Sequence, residues 1–144
     1  MYGLIVSQEA TDIFRELAEA SPEAYRPDLA RSLHIQAVLL TGMDRPENAL
    51  AASDEATSIY RDLTETHPEA FRAELARSLN NLAVLQGGLG RLEDALAASK
   101  EAVGIFRELA ATWPDAYGHE LKQSSRLVAW LLRARRRGER RRRR

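Results

Sequence analysis

Apolar residues recur at every third or fourth position along most of the chain, which is the spacing of one face of an α-helix. One such stripe turns polar only at its last member, and a longer stripe follows it after a glycine-rich run. This pattern predicts an all-α fold. The two stripes comprise Leu75, Leu79, Leu82, Ala83 and Gln86, and then Ala95, Leu96, Ser99, Ala102, Val103, Phe106 and Leu109.

Prolines and glycines mark where these helices begin and end. Pro68 followed by Glu69 suits a first helical turn, because a missing N–H costs nothing there and an acidic side chain favours the helix dipole. The run Gly87-Gly88-Leu89-Gly90 supplies residues that tolerate a positive φ at a helix end. Pro114 cannot continue the helix before it. The punctuation therefore separates one amphipathic helix from the next.

The chain contains an internal repeat with a period of 46 residues. Segment 9–17 returns as 55–63 and again as 101–109, and segment 9–54 matches 55–100 at 27 of 46 positions without a gap. Each unit reads as two helices of roughly 20 residues joined by a short turn, an antiparallel αα-hairpin. Because neither helix buries its stripe alone, neighbouring hairpins must stack, which predicts an α-solenoid over residues 1–132. The units are 9–54, 55–100 and a partial unit, 101–132.

Alignment to this repeat predicts about six helices, with the chain opening inside the second helix of a unit. In the earlier full unit Pro27 replaces Ala73, so we expect that helix to begin near Asp28. The last helix is expected to end near Arg137, and the rest of the chain to be disordered. The predicted helices are Leu4 to Ala20, Asp28 to Thr41, Pro46 to Thr66, Glu69 to Gly87, Leu92 to Thr112 and Asp115 to about Arg137.

The repeat resembles the tetratricopeptide repeat (TPR) family. The likeness lies in Leu79-Asn80-Asn81-Leu82-Ala83, Gly90, Glu93-Asp94-Ala95-Leu96 and Ala102, which alternate large and small residues as that family does. The preceding His67-Pro68 resembles the long repeat variant of kinesin light chains and many bacterial regulatory proteins. The usual unit is shorter by about a dozen residues, so we expect longer helices here. The family's aromatic positions are occupied by Leu40, Gln86, Ser53 and Ser99.

The resemblance implies a non-catalytic scaffold that binds a peptide or a partner helix in a concave groove lined by the first helix of each unit. Asparagines there would bond a peptide backbone, arginines would pair with carboxylates, and a tryptophan would anchor the ligand. The alternative is that Asn80 and Asn81 only solvate a helix and that Trp130 only fills a core. Carried over by position, the implied partner-binding residues are Arg31, His34, Val38, Arg77, Asn80, Asn81, Val84, Arg126 and Trp130, with Ile35, Gln123 and Leu127 beside them.

The phase of the repeat leaves one helix without a hairpin partner at each end, which supports two interpretations. In the first, the chain is a segment of a longer array or of a larger TPR-containing regulator. In the second, the outer faces of the first and last helices are complementary, and copies associate head to tail.

The formal net charge of zero conceals two opposed regions. Residues 133–144 contain nine arginines and one glutamate, a net of +8, which leaves a net of −8 over residues 1–132. Such a tail resembles a nonspecific polyanion arm, so nucleic-acid association is a second candidate function. Two alternatives are that the tail folds back on the acidic body and that it has no role. The nucleic-acid candidates are Arg135, Arg136, Arg137, Arg140 and Arg141.

Several chemistries find no support in the sequence. The absence of cysteine excludes disulfides, thiolate metal sites and a cysteine nucleophile. His34, His67 and His119 are too widely spaced for a zinc motif, and the glycine run follows a helix and lacks the lysine of a phosphate loop. We therefore expect no catalysis, metal or cofactor. The opening residues do not resemble a secretory leader and no apolar run is long enough to span a bilayer, so we expect a cytoplasmic protein.

Overall fold

The computed structural model describes residues 2–144, and within them every secondary-structure element is an α-helix. The all-α fold and the number of helices predicted from the sequence are confirmed. No helix in this part of the chain has both the length and the apolar content that a membrane span requires. The six helices are α1 (Tyr2–Ala20), α2 (Pro22–Gly42), α3 (Pro46–Thr66), α4 (Pro68–Gly88), α5 (Leu92–Thr112) and α6 (Pro114–Arg142).

The predicted bounds of α3 and α5 are confirmed, but the predicted start of α2 near Asp28 is wrong. Helix α2 begins at Pro22 and carries Pro27 in its interior. Pro27 has no N–H for the carbonyl of Glu23, but Glu23 is exposed, so water can satisfy that carbonyl. Pro22 suits the first helical position, and Arg26 ties this turn to Asp62 of α3 at 3.1 Å. The helix therefore keeps its first turn despite the internal proline.

The expectation that α6 ends near Arg137 and gives way to disorder is also wrong, since the helix continues to Arg142. Arginine is among the strong helix formers, which favours continuation through the basic segment. The last turn carries Arg140, Arg141 and Arg142, and cations there interact favourably with the negative end of the helix dipole. The arginine-rich tail is thus largely helical.

The turns after α2 and α4 share one backbone geometry. Arg91 N–H donates to the Gln86 carbonyl at 2.9 Å and Gly90 N–H to the Gly87 carbonyl at 3.1 Å, which is the hydrogen-bond pair of a Schellman motif. Gly90 has φ +80°, as the sequence predicts for this glycine run. At the position 46 residues earlier, Asp44 adopts φ +56°, in a region that side chains rarely occupy. The same turn is thus made once with glycine and once with aspartate.

The chain divides into two compact units, residues 1–78 and 79–144, with the division inside α4. In the first unit α2 packs against both α1 and α3. Two buried hydrogen bonds join its helices at equivalent positions: the Thr11 and Ser32 hydroxyls lie 2.7 Å apart, and so do those of Thr57 and Ser78. The pairing of α1 with α2 therefore repeats between α3 and the first part of α4.

In the second unit α6 packs against α5, and its buried side chains centre on Phe106 and Leu131. Phe106 also lies near Tyr117, with ring centroids 6.4 Å apart. Four pairs of alanines spaced by 46 residues are completely buried, and a small side chain lets helices approach closely. These equivalent pairs are Ala30 and Ala76, Ala37 and Ala83, Ala49 and Ala95, and Ala56 and Ala102.

Candidate binding surface

The first helices of the repeat units, α2, α4 and α6, each expose an apolar side chain at the same repeat position. Val38, Val84 and Trp130 are spaced by 46 residues and are 51%, 52% and 44% exposed. Ile35, one turn before Val38, is 49% exposed. Exposing an aliphatic or indole side chain to water gains nothing for folding, so its recurrence at one position is typical of a contact surface.

The two predicted arginines within residues 1–78 each form an ion pair with an acidic residue one turn earlier. Arg31 donates to Asp28 at 3.1 Å, and Arg77 donates to Glu74 at 2.9 Å. Both arginines are exposed, so each pair contributes only a few tenths of a kcal/mol to stability. The pairs instead fix where each guanidinium lies on its helix.

His34 is half-buried rather than open to a ligand. Burial lowers its pKa below the usual value for histidine, and the nearby Glu74 carboxylate partly opposes this effect. The same neighbourhood includes Tyr60, whose pKa is raised by burial and by the Glu74 charge, with Arg31 acting in the opposite direction. His34 therefore belongs to the packing of α2 beside α3 and the start of α4, and offers only part of its ring to a surface.

Asn80 has a structural partner. Its Oδ1 accepts a hydrogen bond from Ser124 of α6 at 2.8 Å. The equivalents of Ser124 in the earlier units, Ser32 and Ser78, bond a threonine instead, but the matching position in α5 is Val103, which has no hydroxyl. Ser124 therefore turns to Asn80. Asn81, the next predicted residue, is half-buried.

Trp130 packs partly against α4. A Cβ at Gly87 would lie 3.3 Å from Cζ3 of Trp130 and 2.9 Å from Cδ2 of Leu131. Glycine at this position therefore permits a close approach of α6 to α4, with the indole covering the helix on one side and meeting solvent on the other. Arg126, one turn earlier on α6, is exposed.

The candidate nucleic-acid residues lie at the end of α6. Arg135 is half-buried and its guanidinium lies 3.7 Å from the Glu93 carboxylate of α5, so part of the basic charge is directed at the acidic body. Arg136, Arg137, Arg140 and Arg141 are exposed. Nothing aromatic is interleaved with them that would stack on bases.

Several clefts of the first unit were not predicted from the sequence, and two of them adjoin α1. A polar cleft of about 510 Å³ lies among α1, α2 and α3 and is crossed by Arg15, which donates to both carboxylate oxygens of Glu55. A smaller, mostly apolar cleft of about 310 Å³ lies between α1 and α2. The apolar cleft becomes evident when α1 is compared with α3, because equivalent residues of the two helices differ in burial. Burial is not known from the sequence.

No protein-family model matches the sequence, and no curated protein matches it either. Within residues 2–144, no group of three or more acidic or histidine side chains is arranged to hold a metal ion. The resemblance to tetratricopeptide repeats therefore rests on the residues of the chain itself.

Proposed function

We propose that the chain is a TPR-like α-solenoid that acts as a non-catalytic protein-interaction module. The binding residues would be those that the TPR resemblance places in the groove, on the exposed faces of α2, α4 and α6. The observation that carries this proposal is the repeated half-exposure of Val38, Val84 and Trp130 at one repeat position. Repeat proteins use the surface that successive units present together for binding, which is why recurrence matters more than any one residue.

In this proposal the three apolar side chains bury against a peptide segment, and the polar residues beside them set its orientation. Arg31 and Arg77, each positioned by its acidic neighbour, would bind carboxylates of the ligand. Asn81 and Arg126 would bond the peptide backbone or acidic side chains. Asn80 contributes less than the sequence implies, because Ser124 already bonds its Oδ1.

The proposal is tested by selecting peptides from a displayed random library on the purified chain and measuring the affinity of a selected peptide by fluorescence anisotropy. Val84→Asp should weaken binding at least tenfold, because it removes apolar contact and buries a carboxylate. Ala97→Asp makes the same kind of change at an exposed position of α5 and should leave the affinity unchanged. Equal affinity for both variants would refute the proposed groove.

A second candidate function, binding of nucleic acid by the end of α6, is favoured by the exposure of four arginines there. If eight cationic groups of the tail contact phosphates of duplex DNA, log K falls with log salt concentration at a slope of about −7. Replacing Arg136, Arg137, Arg140 and Arg141 with glutamine should reduce the steepness of that slope by about 4. No retention of labelled duplex at low salt, or a slope unchanged by the replacement, removes this candidate.

A further inference from the structure

Helix α1 exposes apolar residues whose equivalents in α3 are buried. Ile13 is 57% exposed and its equivalent Ile59 is 5% exposed; Leu17 is 36% exposed and its equivalent Leu63 is 9% exposed. The two helices carry nearly the same sequence at these positions, so the difference lies in what covers them. Three further positions follow the same trend, in the pairs Val6 and Ala52, Ala10 and Ala56, and Phe14 and Tyr60.

The helix that packs against α3 and has no counterpart at α1 is α2. Its amino-terminal end reaches the end of α3, where Arg26 pairs with Asp62 and where Arg26 and Pro27 line a cleft with Leu63. Since α2 and α3 are joined by a short turn, they run antiparallel. The molecule thus contains one occupied example of the face that α1 leaves open.

The apolar cleft between α1 and α2 is open, whereas α2 lies beside the equivalent residues one repeat later. The cleft is lined by Val6, Phe14 and Ser7, and it lies beside Asp28. The equivalent residues of Phe14 and Asp28 are Tyr60 and Glu74, and these lie beside Arg31 and His34 of α2.

A polar atom in this cleft also lacks a partner. Ser7 is only 8% exposed, and its Oγ makes no hydrogen bond within residues 2–144. A buried hydroxyl without a partner is costly, so this part of α1 is less well satisfied than the equivalent parts of the other helices.

The charge at the rim of the open face is acidic. Glu16 is the equivalent of Asp62, the residue that holds Arg26 of α2. Glu9 lies two turns before Glu16 on the same side of the helix, whereas Asp12 and Glu19 lie beside Arg15, which is bound to Glu55 on the other side. An occupant with a basic residue near its amino-terminal end would match this rim, whereas α1 of a second copy would bring like charges together.

We propose that the open face of α1 binds an amphipathic helix with the sequence character of α2, antiparallel to α1. The occupant presents leucine and alanine where α2 presents Leu29, Ala30, Leu33 and Ala37, and an arginine where α2 presents Arg26. Helix α6 of a second copy lacks this character, because Lys122 and Ser125 replace Ala30 and Leu33 at the equivalent positions. Arg31 and Ile35 of α2 border both this cleft and the proposed groove, but the residues that carry this inference, Ile13, Glu16 and Leu17, lie on α1, which is not part of the groove.

The test uses a fluorescein-labelled peptide of residues 22–42 carrying P27A, a change that raises its helicity, titrated with the full chain. We expect saturable binding of one peptide per chain. Ile13→Asp should weaken this binding at least tenfold, because the carboxylate would be buried against the peptide. Ile5→Asp is the matched control, since Ile5 is 46% exposed but its equivalent in α3, Ala51, is exposed too. The control should bind as the parent does.

The register is tested by exchanging charges. A peptide carrying R26E should bind the parent chain more weakly and should regain affinity with a Glu16→Arg chain. No saturable binding of the peptide, or equal binding by the Ile13→Asp and Ile5→Asp chains, overturns the proposal. Stronger binding of a peptide of residues 114–134, or a chain mass that rises with concentration in light scattering, assigns the face to a second copy and overturns it as well.

Discussion

The close approach of α6 to α4 can be tested by replacing Gly87 and Gly104 with alanine. We expect the two replacements to change the free energy of unfolding in opposite directions. Both are glycines inside helices, and replacing either with alanine removes the backbone entropy cost of glycine, worth up to about 1 kcal/mol in a helix interior. A Cβ at Gly104 meets nothing within 4 Å, so only this gain applies. We expect Gly104→Ala to raise the free energy of unfolding by about 1 kcal/mol.

At Gly87 the same methyl group has no room. It would lie 2.9 Å from Cδ2 of Leu131, which is fully buried and cannot turn to solvent, and 3.3 Å from the rigid ring of Trp130. Overpacking of this kind costs about 1–3 kcal/mol, and the helix gain is reduced near the carboxyl end of α4. We expect Gly87→Ala to lower the free energy of unfolding by about 1 kcal/mol, so that the two variants differ by about 2 kcal/mol.

Urea unfolding followed by circular dichroism measures both variants, with the parent as reference. A double variant, Gly87→Ala with Leu131→Val, removes the clashing Cδ2 and should be more stable than the sum of the single changes implies. If Gly87→Ala is as stable as Gly104→Ala, α6 does not approach α4 as closely as described, and the placement of Trp130 at the surface loses its basis.

Three further predictions concern other features of the fold. Asp44→Gly should raise the melting temperature, with a gain of about 0.5–1 kcal/mol, because Asp44 has φ +56° and glycine adopts that conformation without strain. Ser78→Ala should lower the free energy of unfolding by about 1 kcal/mol in urea titrations, because it removes the buried bond to Thr57, and an unchanged midpoint would argue against that bond. The lowered pKa of His34 means that the unfolded chain binds protons more readily, so stability should fall as the pH decreases below about 6.5. His34→Gln should reduce this loss in denaturant titrations across that range, and identical pH profiles would contradict it.

The helices could be predicted from the sequence because their signals are local. Pro46, the acidic residues after Leu92 and the glycine run each act on the backbone within one turn. Helices α3 and α5 have the predicted bounds. The start of α2 could not be predicted in this way, because Pro27 lies close to the beginning of the helix, where the carbonyl that it leaves unbonded belongs to the exposed Glu23. The predicted end of α6 is wrong because a run of arginines is typical of disorder in composition, whereas arginine itself has a high helix propensity.

The roles of individual surface residues depend on neighbours that the repeat alone does not reveal. The sequence predicts that Asn80 binds a ligand. In the structure Val103 has no hydroxyl to pair with Ser124, so Ser124 donates to Asn80 instead. Likewise Ile13 and Ile59 are identical residues at equivalent positions, and only the packing of α2 on α3 distinguishes them. A repeat predicts which positions are equivalent, but the burial of each depends on which helices lie beside it.

The proposed groove is tested most directly by NMR with a peptide selected on the chain. Titration into isotope-labelled protein should shift the methyl signals of Val38 and Val84 and the indole N–H signal of Trp130 together, with one common affinity. Signals of the exposed α5 residue Ala97 should stay in place. Shifts confined to α3, α5 or the arginine-rich end of α6, with those three side chains unaffected, would contradict the account.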